Sequence, residues 1–390
     1  MEETSHIVDR KRMRSQTLDL LRFPLAVVVL LIHTFGVEGL GVNGRAFEPE
    51  QYPLFVVVRD AIEAFLGGQS VPVYFFISGY VFFLGVEWTR ATYARKLKNR
   101  LHTLLIPYVL WNTIALMLLA VRLLPCFRSY LSQPEGAGEL TLANVLSCYW
   151  VYNGGLNGVE MDTTVPIDFP LWFVRDLMVV VLCTPLLYRV LRIAGRYAVW
   201  LLGLLWFGLG YVDAGHFYLF VTAFFFFSWG AYMSIGRRDM LSEFGRRFKV
   251  SVVLYPLLGL GCMLVAHRSP EAYATFKNLN IVVGLFFAYD VAAWLLRRGW
   301  CRVSPFLASS SFFIYVSHTL VCSRLTKVLL VVFQPSSGVG TVAVYALSAA
   351  ATVGLLLACF YVLRRYAPAV LRVLVGRGSR PAVSGPALPA

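Results

Sequence analysis

Apolar residues along this chain fall into long blocks separated by short basic segments, the pattern of stacked membrane-spanning helices and not of amphipathic helices or alternating strands. A window of about 19 residues marks ten candidate spans, at 18–37, 70–86, 103–124, 169–188, 198–211, 217–235, 250–267, 277–296, 305–333 and 340–363. The fifth is short, and the ninth is long enough to tilt or bend. The pattern predicts an all-α integral membrane protein, a single bundle of about ten transmembrane helices over 18–365. A basic N-terminal segment (1–17) precedes it, and a tail (366–390) follows that is Gly, Pro, Ser and Ala-rich from Gly376 and expected to be disordered. The first block follows basic residues, as a signal peptide's core would. It is long enough to span and no small-residue cleavage site follows it, so it reads as a retained helix.

Composition sharpens the class. The 390 residues are 58% hydrophobic and 14% charged, against about a quarter charged in soluble globular chains. The net charge of +14 would suggest nucleic acid in a soluble protein, but here the basic residues occupy the gaps between apolar blocks and no nucleic-acid partner is expected. Of the 35 Lys and Arg, 26 lie before span 1 and after spans 2, 4, 6, 8 and 10, counting Arg22 at the inner edge, and six lie on the opposite side. Positive charge accumulates on the cytoplasmic face, so both termini are expected there. The seven cysteines form no CxxC or Cys/His pattern and no metal site is expected. Cys126 and Cys148 share one outward loop, which leaves a disulfide open there.

Two outward segments, 38–69 and 125–168, are long, and long loops on a compact bundle are more often functional than decorative. Tyr52–Leu66 reads as a helix at the outer interface. The second loop carries Asn153-Gly154-Gly155 and Asn157-Gly158 turn signals with acidic Glu160, Asp162 and Asp168. Ionisable groups at membrane depth are expensive and therefore candidates for function: Arg22 and His33 in span 1, Arg175 and Asp176 in span 4, Asp290 in span 8, and His318, Arg324 and Lys327 in span 9. Arg22 and His33 are eleven residues apart, which places them on one helix face about 16 Å apart along the axis. Their structural alternatives are a snorkelling cation and a packing hydrogen bond. His33, Arg175, Asp176 and His318 fall in the outer half of the bilayer, where they could line one cavity. Adjacent Arg175 and Asp176 point about 100° apart and are not expected to pair with each other. Arg95, Lys96, Lys98 and Arg100 after span 2 suit either anionic lipid or a polyanionic cytoplasmic ligand. Ser78-Gly79 inside span 2 reads first as a close helix contact, with Ser78 as nucleophile the lesser alternative.

Taken together, Leu18-Asp19-Leu20-Leu21-Arg22 with His33, the FFISGY element at 75–80, the basic stretch leading to IPYVLW at 106–111, PLWFVRDLMVVVL at 170–182 and SFFIYVSHTL at 311–320 resemble the acyltransferase-3 family of bacterial integral-membrane acyltransferases. The resemblance covers about residues 15–365. It implies transfer of an acyl group, most often acetyl, from cytoplasmic acyl-CoA to a hydroxyl of an envelope carbohydrate or glycolipid. Acyl-CoA (acetyl-CoA) would be a donor substrate, with no permanently bound cofactor, in the cytoplasmic (inner) membrane. His33 would be the essential histidine, Arg22 its partner, and Arg22, Arg95, Lys96, Lys98 and Arg100 the acyl-CoA-binding set. By depth and resemblance together, Asp176 and His318 join the catalytic group, while Arg175, His318 and Trp172 face the acceptor or the developing oxyanion. The SGNH-type hydrolase domain of some members is not expected in this chain. The preferred mechanism is direct transfer with His33 as general base; an acyl-enzyme on His33 or Ser78 is the variant. A multi-pass transporter is the competing class, although no internal repeat of the Arg22/His33 arrangement or of FFISGY supports it. Trp172, Tyr149, Trp150 and Tyr152 would stack on sugars or form part of the interfacial aromatic belt.

Overall fold

A computed structural model describes residues 2–34, 41–42, 45–123, 141–152 and 165–376. In chain order the helices are α1 (Glu2–Thr34), α2 (Pro53–Ile62), α3 (Gly68–Phe83), α4 (Arg90–Arg100), α5 (Ile106–Leu123), α6 (Leu142–Ser147), α7 (Trp172–Leu182), α8 (Thr184–Ala194), α9 (Arg196–Leu209), α10 (Gly215–Ile235), α11 (Met240–Gly245), α12 (Phe248–Val265), α13 (Pro270–Arg297), α14 (Pro305–Phe333), α15 (Gly338–Tyr366) and α16 (Pro368–Leu374). Two-residue strands Gly41–Val42 and Arg45–Ala46 form a small antiparallel ladder. The protein is a helical, multi-pass membrane protein. Eight helices are long and apolar enough to cross a bilayer, or nine with the broken pair Phe169–Leu182 and Thr184–Ala194 counted as one span.

Each of the ten expected spans has a helix, with four departures. The fourth is broken at Cys183, where Pro185 in the first turn of α8 has no N–H to continue the ladder. The fifth, α9, has 14 residues and rises only about 21 Å, short of a full crossing. The helix expected at 52–66 is continuous with span 2 through a π-helical stretch, Glu63–Gly67. A π turn frees backbone carbonyls, and other helices satisfy them: Asn280 donates to Ala64 O at 2.6 Å and Tyr255 donates to Phe65 O. The first span likewise extends beyond expectation. Its helix begins at Glu2 and takes in the basic segment, where Arg14 donates to the Tyr80 hydroxyl at 3.2 Å and Arg10 lies 3.7 Å from Asp239. The Asn153-Gly154-Gly155 and Asn157-Gly158 turns, Glu160, Asp162, Cys126 and the tail beyond Gly376 lie outside the described residues. Cys148 is buried, donating its thiol to Asn144 O at 3.2 Å, and burial pushes that thiol up to about 11.

The chain divides into two compact units, Met1–Glu87 with Cys183–Leu356 and Trp88–Leu182 with Leu357–Ala390. In the first, α1 packs on α14, α13 and α3, and α3 packs on α10. Gly79 is the reason the last pair is so close. A Cβ there would be driven into the backbone carbonyl of Phe227, and reciprocally a Cβ at Gly230 would meet Phe76 O. Backbone cannot yield as a flexible side chain does, so Gly79→Val is expected to cost more than the ~1–3 kcal/mol of ordinary overpacking. Loss of the monodisperse peak in size-exclusion chromatography would show it; an unchanged melting temperature would refute it. In the second unit, Leu119, Cys148 and Tyr152 form a core, flanked by Tyr149 and Ile167, and Trp111 Nε1 donates to Leu374 O at 3.0 Å, docking α16 on α5.

Candidate active site

Within the first unit, α1 carries His33 in its last turn, half-buried, with its ring stacked on that of His318 at 5.3 Å and 16° between planes. His318 is wholly buried on α14. Its Nδ1 lies 2.7 Å from Tyr315 O and 3.2 Å from Ile314 O. A ring nitrogen facing two carbonyls carries the proton, so the neutral ring keeps its lone pair on Nε2. That Nε2 is buried and has no hydrogen-bond partner among the described residues. Buried acceptors are ordinarily satisfied, and this one is poised for a donor such as a hydroxyl.

The histidine pair is connected to Arg22 by a line of aromatic rings. The Tyr315 ring lies 6.3 Å from His318 and 6.4 Å from Tyr74, and Tyr74 donates to Arg22 O at 2.5 Å. Because α1 is one continuous helix, the expected separation of about 16 Å between Arg22 and His33 holds. Arg22 is half-exposed and pairs with Asp19 at 2.8 Å, a bond that uses only part of its donor fork.

The second unit holds the other two clusters. Arg175, wholly buried on α7, reaches Asp176 with Nε at 3.0 Å. It also donates through Nη1 to Trp150 O at 2.6 Å and lies 5.4 Å from the centre of the Trp150 ring. The expectation that neighbours on a helix do not pair is corrected here. Their Cβ atoms do diverge, but the arginine stem is long enough to curl back around the turn, and a buried guanidinium without a counter-ion would be far costlier than the bent rotamer. Nearby, Asp168 N–H donates to Asn112 Oδ1 at 3.1 Å. On α4, capped by the Thr89 hydroxyl accepting from Thr92 N, Arg95 and Lys98 are exposed, and Lys96 and Arg100 are half-buried one turn apart.

Residues 16–361 match the acyltransferase domain family, Acyl_transf_3. The chain belongs to that family. Over 329 residues the acyltransferase is 24% identical to the succinoglycan biosynthesis protein ExoH of Rhizobium meliloti (strain 1021), a match covering 81% of this chain and 82% of that protein. No solved structure matches it significantly.

Of the expected site residues, the acyltransferase brings His33 to His318 and Arg175 to Asp176, and sets Arg95, Lys96, Lys98 and Arg100 on one helix. Trp172 opens α7, half-buried. Arg324 and Lys327 are exposed, Arg324 donating to Leu320 O, and so stand apart from the buried pair. Asp290 is buried on α13. Sequence reasoning missed Tyr315, whose carbonyl fixes the His318 tautomer, and singled out Trp150 only as a sugar-stacking or belt aromatic, not as the residue that holds Arg175. A backbone carbonyl and a backbone-plus-ring cradle carry no signal in the residue type. Asn112, an amide in mid-span, had one.

Proposed function

We propose that this membrane acyltransferase moves an acyl group, acetyl by preference, from cytoplasmic acyl-CoA to a hydroxyl of an extracytoplasmic envelope carbohydrate or glycolipid, with His33 as general base. The observation that carries the reading is the stacked histidine pair, with the buried lone pair on His318 Nε2. Alcoholysis of a thioester needs a base at the hydroxyl, a dry site and a cation or donor for the oxyanion. The hydroxyl proton goes to His33, the alkoxide oxygen bonds to the thioester carbonyl carbon, and collapse of the adduct expels coenzyme A thiolate, which recovers the proton. His318, with Nδ1–H committed to Tyr315, offers only the Nε2 lone pair and is unsuited to oxyanion donation; because the one proton of the reacting hydroxyl goes to His33, that lone pair orients the acceptor by accepting from a neighbouring hydroxyl. That role is assigned on chemistry to Arg175, held by Asp176, with Trp172 on the acceptor side.

Arg22, Arg95, Lys96, Lys98 and Arg100 are assigned to the phosphates of coenzyme A, since guanidinium and ammonium groups bind them by charge-assisted hydrogen bonds. An extended pantetheine arm is about as long as the rise from Arg22 to His33, which supports threading of the thioester from one to the other. The basic segments support cytoplasmic termini in the inner membrane, and ten crossings follow if α9 and the broken fourth span each count once. A glycan acceptor is supported by the relative's name, which assigns it to the biosynthesis of succinoglycan.

The test is release of coenzyme A thiol from acetyl-CoA by detergent-purified protein, alongside coenzyme A binding. Wild type is expected to bind and slowly hydrolyse the donor, and Arg22→Ala to bind about tenfold more weakly, the loss of one or two charge-assisted bonds. No affinity of the wild type for any acyl-CoA would overturn the donor assignment and put a transport function in its place.

A further inference from the structure

Well apart in sequence from the histidines, the first unit contains a cavity of about 480 Å³ formed by α9, α10, α11 and α13, with Arg238 and Arg247 from the segments flanking α11. Its two ends differ in chemistry. Helices α9 and α10 run antiparallel through a short turn, so Arg196 at the start of α9 lies level with Tyr232 near the end of α10, and Arg238 and Arg247 line the same end. About two to three turns along α9 the walls become Gly203, Trp206 and Phe225, with Trp206 Nε1 donating to Thr222 Oγ1 at 3.0 Å. Gly203 is what lets the Phe225 ring approach α9, since a Cβ there would meet that ring at 3.0 Å.

At the basic end two guanidiniums share one carboxylate, and a third, that of Arg196, donates to the Tyr197 hydroxyl at 3.2 Å while lining the same mouth. Glu243 lies 4.0 Å from Arg238 and 3.9 Å from Arg247, distances too long to saturate either fork. Arg238 also donates to the Tyr232 hydroxyl at 2.9 Å, and Arg247 lies over the Phe286 ring at 5.6 Å. A net excess of positive charge on planar forks matches a phosphate. The apolar end is open sideways: Trp200 and Leu204, both lining residues, are each 68% exposed, so on a membrane helix they face lipid. A volume within the ~300–1,000 Å³ of small-molecule sites, an arginine mouth level with the basic loops, and an apolar wall open to the bilayer together describe a site for an amphiphile whose head is anionic.

We propose that this cavity binds an anionic phospholipid from the leaflet facing the basic loops, its phosphate on Arg196, Arg238 and Arg247 and one acyl chain against Trp206, Phe225 and Phe286. Basic pockets between transmembrane helices take anionic headgroups on this principle. The site stands independently of the acyl-transfer chemistry, because none of its residues is assigned to the donor, the acceptor or the histidine pair.

Native mass spectrometry of the full-length protein tests it, after exchange into phosphatidylglycerol or phosphatidylcholine with identical chains. Wild type is expected to retain phosphatidylglycerol about tenfold better, and R238Q/R247Q to retain both equally, the loss expected for one or two charge-assisted bonds. R364Q/R365Q, which removes a basic pair at the end of α15, is expected to keep the preference. If the first double variant does not fold, R196Q is read in the same way. Equal retention of the two lipids by wild type would overturn the proposal, as would loss of the preference in R364Q/R365Q, which would reduce it to general attraction of basic loops. Displacement of bound phosphatidylglycerol by coenzyme A would also overturn it, reassigning the arginines to the acyl donor.

Discussion

His33→Ala is expected to lower donor turnover by about two to four orders of magnitude, the usual contribution of a positioned general base, with the protein still folded and coenzyme A still bound. The ring is half-buried at a helix end, and its removal forfeits the stacking on His318 while leaving His318 and the core around α14 in place. Stability should therefore change little while chemistry collapses. His318→Ala is expected to fall toward the same floor, and the double variant no further, because residues that act as one unit are strongly non-additive. Coenzyme A thiol release from acetyl-CoA, read beside coenzyme A binding, checks all three variants. Turnover of His33→Ala within a few-fold of wild type would remove the base from this residue. Strictly additive losses would instead separate the roles of the two rings.

The second large effect is on stability. Arg175→Leu leaves the Asp176 carboxylate buried without its cation, and breaking such a pair from one side typically costs about 3–5 kcal/mol. Both side chains are essentially inaccessible, at 0% and 1%, so solvent does little to relieve the orphaned charge. R175L/D176L is expected to regain most of the loss, because two apolar residues of similar bulk remove both charges at once. Thermal unfolding followed by fluorescence-detected size exclusion separates the two. Equal melting temperatures for R175L and wild type would show that the pair is not a structural tie.

Most of the architecture is legible in the sequence because membrane helices announce themselves by length and apolar content. Helices stand at all ten expected places, and the family follows from motifs in the right order on them. What the window does not see is where a block breaks or continues. The Thr184-Pro185 step inside the fourth block and the two glycines at 67–68 look alike to a hydropathy average, yet the first ends a helix and the second is absorbed in a π turn held by Asn280 and Tyr255. Those capping partners come from more than 180 residues away. The site divides in the same way. Depth alone puts His33 and His318 in the same half of the bilayer, but their stacking, and the carbonyl of Tyr315 that fixes the tautomer, are matters of rotation about α1 and α14 that no spacing encodes. The pairing of Arg175 with Asp176 is missed for a different reason, since helical-wheel reasoning places Cβ atoms and not the end of a long side chain.

The reciprocal glycine contact between α3 and α10 also has a mechanical side. With Gly79 against the Phe227 carbonyl and Gly230 against that of Phe76, the two helices are locked backbone to backbone, and sliding either by a fraction of a turn would bring a side chain into a carbonyl. Close-packed interfaces of this kind have discrete arrangements and do not deform continuously. The pair is thus the stator of its unit: whatever opens to admit a substrate or release a product must be carried by other helices moving against it.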